Sequence, residues 1–103
     1  MLREAPVAIV VCADINRSKY PFEYWIQDCA AAIQNILLAA TSAGLGTCWL
    51  GIYPQPERVE ALRRIFALSD HVVPFAVVAI GHTAKPSRMA DRFDKTRVHY
   101  EKW

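Results

Sequence analysis

Between Asp28 and Glu57 the chain carries no charged side chain. No other feature restricts its folding so strongly. The first part of this stretch, from Cys29-Ala30-Ala31-Ala32-Ile33 to Leu37-Leu38-Ala39-Ala40, is rich in strong helix formers, and Gly44 stands where such a helix would stop. The spacing predicts a helix over residues 24–43. A membrane span needs about 20 predominantly apolar residues, and Gln34-Asn35 and Thr41-Ser42 break this one into short runs. Apolar side chains still cover nearly its whole circumference, so it must be buried on most faces. One small sheet cannot do that. With 103 residues, 53% apolar and 21% charged, the chain is expected to be ordered, yet a domain this short buries well under roughly three-quarters of its unfolded surface. The excess predicts a second copy of the chain, or a missing segment, over the other side.

Around this helix the pattern is mixed. Residues 6–12 (Pro-Val-Ala-Ile-Val-Val-Cys) form a continuous apolar run, expected of a strand buried on both faces. Residues 14–21, with Asn, Ser and Pro, read as a loop that includes Arg17-Ser18-Lys19. Residues 47–51 suggest a short strand. Pro56 suits a first helical position, with Glu57 in the first turn and Arg63-Arg64 in the last, and Val59, Leu62, Ile65 and Phe66 mark one face. Residues 72–80 read as a second buried strand, in which Pro74 can only take an edge or entry position. Beyond Gly81 the chain turns basic. The order strand, helix, strand, helix, strand, basic tail argues for an α+β or α/β layered fold in one domain, residues 1–103.

Few residues offer chemistry of their own. A net charge of +2 does not suggest a nucleic-acid binder. Cys12, Cys29 and Cys48 are odd in number and widely spaced among apolar neighbours, which fits buried free thiols in a reducing cytosol rather than a zinc site or disulfide framework. No phosphate-binding glycine loop is present. His71, His82 and His99 lie far apart, so no side chain is assigned a catalytic role and no metal site is expected. Any reaction would rely on a cofactor.

Four blocks change this picture. They are residues 5–11 (Ala-Pro-Val-Ala-Ile-Val-Val), 44–51 (Gly-Leu-Gly-Thr-Cys-Trp-Leu-Gly), 73–81 (Val-Pro-Phe-Ala-Val-Val-Ala-Ile-Gly), and the tail with Asp91-Arg92-Phe93-Asp94 and Arg97-Val98-His99-Tyr100. Taken together, in this order, they resemble the C-terminal portion of the nitroreductase family, the FMN-dependent NAD(P)H oxidoreductases. The resemblance implies an α+β, nitroreductase-like three-layer fold, partial, with a long buried central helix and a small mixed sheet. It implies a cytoplasmic homodimer holding FMN between subunits, with residues 24–43 packed against their counterpart. By motif match, backbone at Trp49, Leu50 and Gly51 runs along the flavin near N5, and Arg92, with Arg88 as a second match, grips the phosphate. The implied activity passes electrons from NAD(P)H to a nitroaromatic, quinone or similar acceptor.

The family's N-terminal Arg-Ser-x-Arg helix, which holds the FMN phosphate, has no counterpart here. Arg17-Ser18-Lys19 lies after the first matched strand and is read as loop. A truncated, flavin-free dimerisation module is therefore the alternative. Each site residue also has a plainer role: Trp49 as a core aromatic, Gly51 as a strand end, and Arg92 in a surface ion pair with Asp91 or Asp94. The closing residues 98–103 are expected to pack on a partner.

Overall fold

The computed structural model describes residues 2–84 and 90–103. Three strands, β1 (Val7–Asp14), β2 (Gly46–Gly51) and β3 (Val72–Gly81), form one sheet in the order β1-β3-β2. Helix α1 (Trp25–Ser42) joins β1 to β2, and α2 (Pro56–Phe66) joins β2 to β3. The architecture is α+β, as expected, but the sheet is wholly antiparallel rather than mixed. The physical reason is positional. A helical crossover leaves β1 and β2 parallel to each other, and β3 then inserts between them, so every hydrogen-bonded pair runs antiparallel.

That insertion decides which strand is buried. β3 is central, with residues 73–79 all buried. Ile33 of α1 and Val78 of β3 are completely covered, which contributes about 1.5–3 kcal/mol each. β1 lies at an edge, and its residues 7–9 are exposed, contrary to the strand buried on both faces that its apolar run suggested. Pro74 takes the entry position expected of it, although within the central strand. The ladder passes from the pair Val11–Ala76 directly to Cys12–Pro74, leaving Phe75 as the extra residue of a bulge. A proline lacks the N–H for a regular ladder, and a bulge is where one is tolerated.

Helix α1 differs by one residue at each end from the expected 24–43. Gly44, at φ +73°, ends it: its N–H donates to the Thr41 carbonyl and that of Leu45 to the Ala40 carbonyl. This is the glycine-terminated Schellman arrangement. One face of α1, with Cys29 and Ile33, packs on the sheet. The opposite face does not, and Leu38 is 59% exposed. Helix α2 starts on Pro56 as expected, but Ile65 and Phe66 at its C-terminal end stay exposed instead of completing a buried face. No helix among the described residues is long and apolar enough to cross a membrane.

Candidate functional site at the free edge of strand β2

Among the described residues, strand β2 has a neighbour on one side only. In an edge strand, alternate residues turn their N–H and C=O groups toward the partner strand or away from it. Two bonds fix which residues do which. The Ile52 amide donates to the Phe75 carbonyl of β3 at 3.1 Å, so residue 52, and with it residue 50, turns toward β3. The Gly51 carbonyl instead accepts from Arg58 Nη1 at 2.8 Å, so it points off the sheet. The alternation therefore directs the N–H groups of Gly51, Trp49 and Thr47 out of the free edge, while the Leu50 amide faces β3.

The side chains follow the same phase. Trp49 stands opposite Val78, itself opposite Ile9, so its ring shares the face on which α1 packs. The ring lies 6.4 Å from that of Phe75 and remains 38% exposed. It is thus partly a core aromatic and partly available to a ligand. At Gly51 a Cβ would meet no atom within 4 Å. The backbone there is open to close approach. Two outward donors two residues apart, an exposed indole and a bare glycine fit the edge of a planar, acceptor-rich ring such as a flavin.

The basic residues expected to hold a phosphate lie after β3. Arg92 is exposed, and among the described residues it makes no hydrogen bond or ion pair. Both neighbouring acids are engaged elsewhere. Asp91 accepts from the Phe93 amide at 3.0 Å, and Asp94 accepts from the Thr96 amide and hydroxyl and pairs with Arg97 at 3.3 Å. Hydrogen bonds from Thr96 hold the Asp94 carboxyl below its usual range. The surface ion pair considered for Arg92 is therefore not formed with either acid. Arg88 lies outside the described residues. The structure thus gathers Trp49, Leu50 and Gly51 on one strand, and no hydrogen bond or ion pair joins Arg92 to them.

Two clefts of about 350 Å³ flank the sheet. One, at the start of β2, is lined by Glu4, Gly46, Cys48, Gly81 and His82. The other lies between α1 and the loop after β1, lined by Asp14, Arg17, Lys19, Tyr24, Trp25 and Cys29. Arg17-Ser18-Lys19 is exposed there as a single 3-10 turn and loop, as its turn chemistry suggested. All three cysteines are free thiols, but only Cys29 is buried. Burial first, then the charge of Asp28 and the neighbouring Cys12, pushes its thiol up.

The sequence reading missed Arg58. Its signal was a local conflict: a cation in the first turn of α2, directly after Pro56 and Glu57, opposes the helix dipole.

An antiparallel three-stranded sheet is thus crossed by a long apolar helix and ends in an edge strand that closes on an open glycine. The chain belongs to the nitroreductase family, whose sequence profile, described as "Nitroreductase family", it matches over residues 1–82. It is 50% identical over its full length to a Methanothermobacter thermautotrophicus protein provisionally named NADH dehydrogenase/NAD(P)H nitroreductase, and spans 53% of that relative. It is 35% identical over 74 residues to a Bacillus subtilis protein named FMN reductase (NADPH), covering 72% of this chain and 29% of that one. The crystal structure of a provisionally named NADH oxidase from Clostridium acetobutylicum superposes with a TM-score of 0.91 at 44% identity, covering 96% of this chain and 60% of the other. The chain thus spans 53% of the length of the Methanothermobacter relative and 60% of that of the Clostridium protein.

Proposed function

We propose that this chain forms part of an FMN-dependent oxidoreductase that passes electrons from NAD(P)H to a nitroaromatic, quinone or similar acceptor. The observation that carries this reading is the open β2 edge, with the Gly51 N–H turned outward and no atom where a Cβ would stand. Homology supports it, since the matched Bacillus subtilis relative is named for FMN and NADPH.

FMN, when bound, would supply hydride acceptance from a reduced nicotinamide and electron delivery to the acceptor. The chain's own part is positional and electrostatic. The Gly51 N–H would donate to the edge of the flavin ring and orient it. The Trp49 N–H, two residues earlier on the same edge, would offer the ring a second donor. Leu50, between them, fills the backbone path while its own amide stays on β3. Arg92, free of its neighbouring acids, would take the phosphate, for which a guanidinium fork can supply two parallel charge-assisted bonds. Arg88 is the second candidate for that role. The uncovered face of α1, with Leu38 exposed, packs on the same helix of a second copy, so that the cleft is completed between subunits of a cytoplasmic homodimer.

The test is reconstitution. Purified protein is incubated with FMN, desalted, examined for bound flavin absorbance and assayed for NAD(P)H oxidation with a quinone or nitroaromatic acceptor. Retained colour and acceptor-dependent oxidation are expected. A preparation that stays colourless but dimeric would instead support the flavin-free dimerisation module.

A further inference from the structure

Glycine is the residue with the most backbone freedom, and an edge strand holds it from one side only. An unrestrained Gly51 would let its N–H swing, and its carbonyl would face the same way as that N–H. A flavin edge at N5 and the adjacent carbonyl is rich in lone pairs, so a bare peptide oxygen beside it is repulsive.

The peptide joining Gly51 to Ile52 is tied at both ends. Its oxygen accepts from Arg58 Nη1 at 2.8 Å, and its N–H donates to the Phe75 carbonyl at 3.1 Å. Arg58 reaches back from the first turn of α2 to do this. Among the described residues no carboxylate pairs with Arg58, so its charge is not cancelled locally. The free edge at Gly51 therefore presents one amide donor and one uncompensated cation, with the acceptor already occupied.

We propose that Arg58 is a positioning residue: it caps the Gly51 carbonyl, holds the Gly51 N–H toward the flavin, and favours the reduced cofactor over the oxidised one. This rests on the reading that FMN lies along β2. Two-electron reduction with uptake of one proton at N5 would leave one negative charge delocalised over the flavin ring at neutral pH, and a fixed guanidinium beside the ring would stabilise that anion more than it stabilises the neutral oxidised ring.

The test compares the full chain with R58Q and R58K. Oxidised FMN affinity is read by flavin fluorescence, the midpoint potential of bound FMN by equilibration with a reference dye, and folding by circular dichroism. R58Q is expected to keep the native spectrum and to bind oxidised FMN about three- to tenfold more weakly. Reduced FMN should lose a further factor of about ten, which for a two-electron couple lowers the midpoint by about 30 mV. R58K, which keeps the charge but not the fork, should recover part of that shift. A midpoint in folded R58Q equal to that of the unsubstituted chain overturns the proposal, even if the affinity falls. Should R58Q misfold, an unshifted midpoint in R58K with weakened binding overturns it equally. Failure of the unsubstituted chain to bind FMN is a separate result, seen before any variant is made, and it removes the underlying reading along with the proposal.

Discussion

The Ile52 amide and the Phe75 carbonyl, 3.1 Å apart, set the phase of strand β2. Because residue 52 faces β3, residues 51, 49 and 47 must face away, and two of these outward amides fall on the two most exposed residues of the strand, a bare glycine and a half-exposed tryptophan. The bulge at Phe75 takes part in this geometry: its carbonyl accepts from both Ile52 and Tyr53 and turns the chain away at the end of the edge strand.

Gly51→Ala separates folding from binding. A Cβ at this position meets nothing within 4 Å, and replacing glycine where the backbone is compatible stabilises by about 0.4–1 kcal/mol through the unfolded chain. Thermal melts should show an equal or slightly higher Tm. FMN affinity should fall at least about tenfold, because the methyl group stands where the ring must approach. An unchanged affinity would place the flavin elsewhere.

Arg92→Ala tests the phosphate grip. Loss of charge-assisted bonds of about 1.5–3 kcal/mol predicts roughly 10- to 100-fold weaker FMN binding at low salt. The gap between variant and parent should narrow as salt rises, since screening weakens the contact the variant lacks. Equal salt slopes for the two proteins would exclude Arg92 from the site.

Tyr53 gives a pH signature. Burial first, then the negative charge of Glu23 and the 3.3 Å hydrogen bond to its carboxylate, pushes the phenol above its ordinary value. The neutral phenol is thus favoured in the folded state. Its stabilising contribution is complete below the ordinary tyrosine pKa of about 10 and is lost as pH rises through the higher folded value. Denaturant titrations should show stability falling above about pH 10, with a shallower fall in Tyr53→Phe. Parallel curves would contradict the assignment.

Two faces of α1 should respond differently. Ile33→Ala removes a fully covered side chain and should cost about 2–5 kcal/mol in chemical denaturation. Leu38→Asp changes a side chain 59% exposed, and should leave the circular dichroism spectrum unchanged while shifting sedimentation toward monomer. Retention of a dimer by Leu38→Asp would show that this face does not carry the association.

Ala67 ends α2 in the left-handed region, with φ 48° and ψ 44°. A side chain there costs roughly 1–2 kcal/mol relative to the right-handed conformation, and glycine has no such penalty but loses more entropy on folding. Ala67→Gly should raise stability by about 0.5–1 kcal/mol, measured by denaturant midpoint. A decrease would mean that the Ala67 methyl makes a contact worth more than the strain.

Local chemistry was legible along the chain wherever one residue decides the outcome. Gly44 stopped α1, Pro56 opened α2, and the apolar run at residues 72–80 became the buried central strand. What could not be read was pairing. The runs of β1 and β3 look alike in sequence, and only the insertion of β3 between β1 and β2 makes one an edge and the other a centre. The burial of Ile65 and Phe66 was misjudged for a related reason, because a periodic face says nothing about whether a neighbour reaches its far end. At the candidate site, Gly51 and Trp49 stood out through their motif. The different orientation of the Leu50 amide follows from β-phase, and the part played by Arg58 from a contact seven residues away in sequence.

The most direct check of the flavin position is amide NMR of the nitrogen-15-labelled chain during titration with FMN. The Gly51 and Trp49 amide signals should move most within β2, while those of Leu50 and Ile52, directed at β3, move least. Shifts confined to the other end of the sheet, around Gly46 and His82, or no shifts at all, would contradict a flavin lying along the free edge of β2.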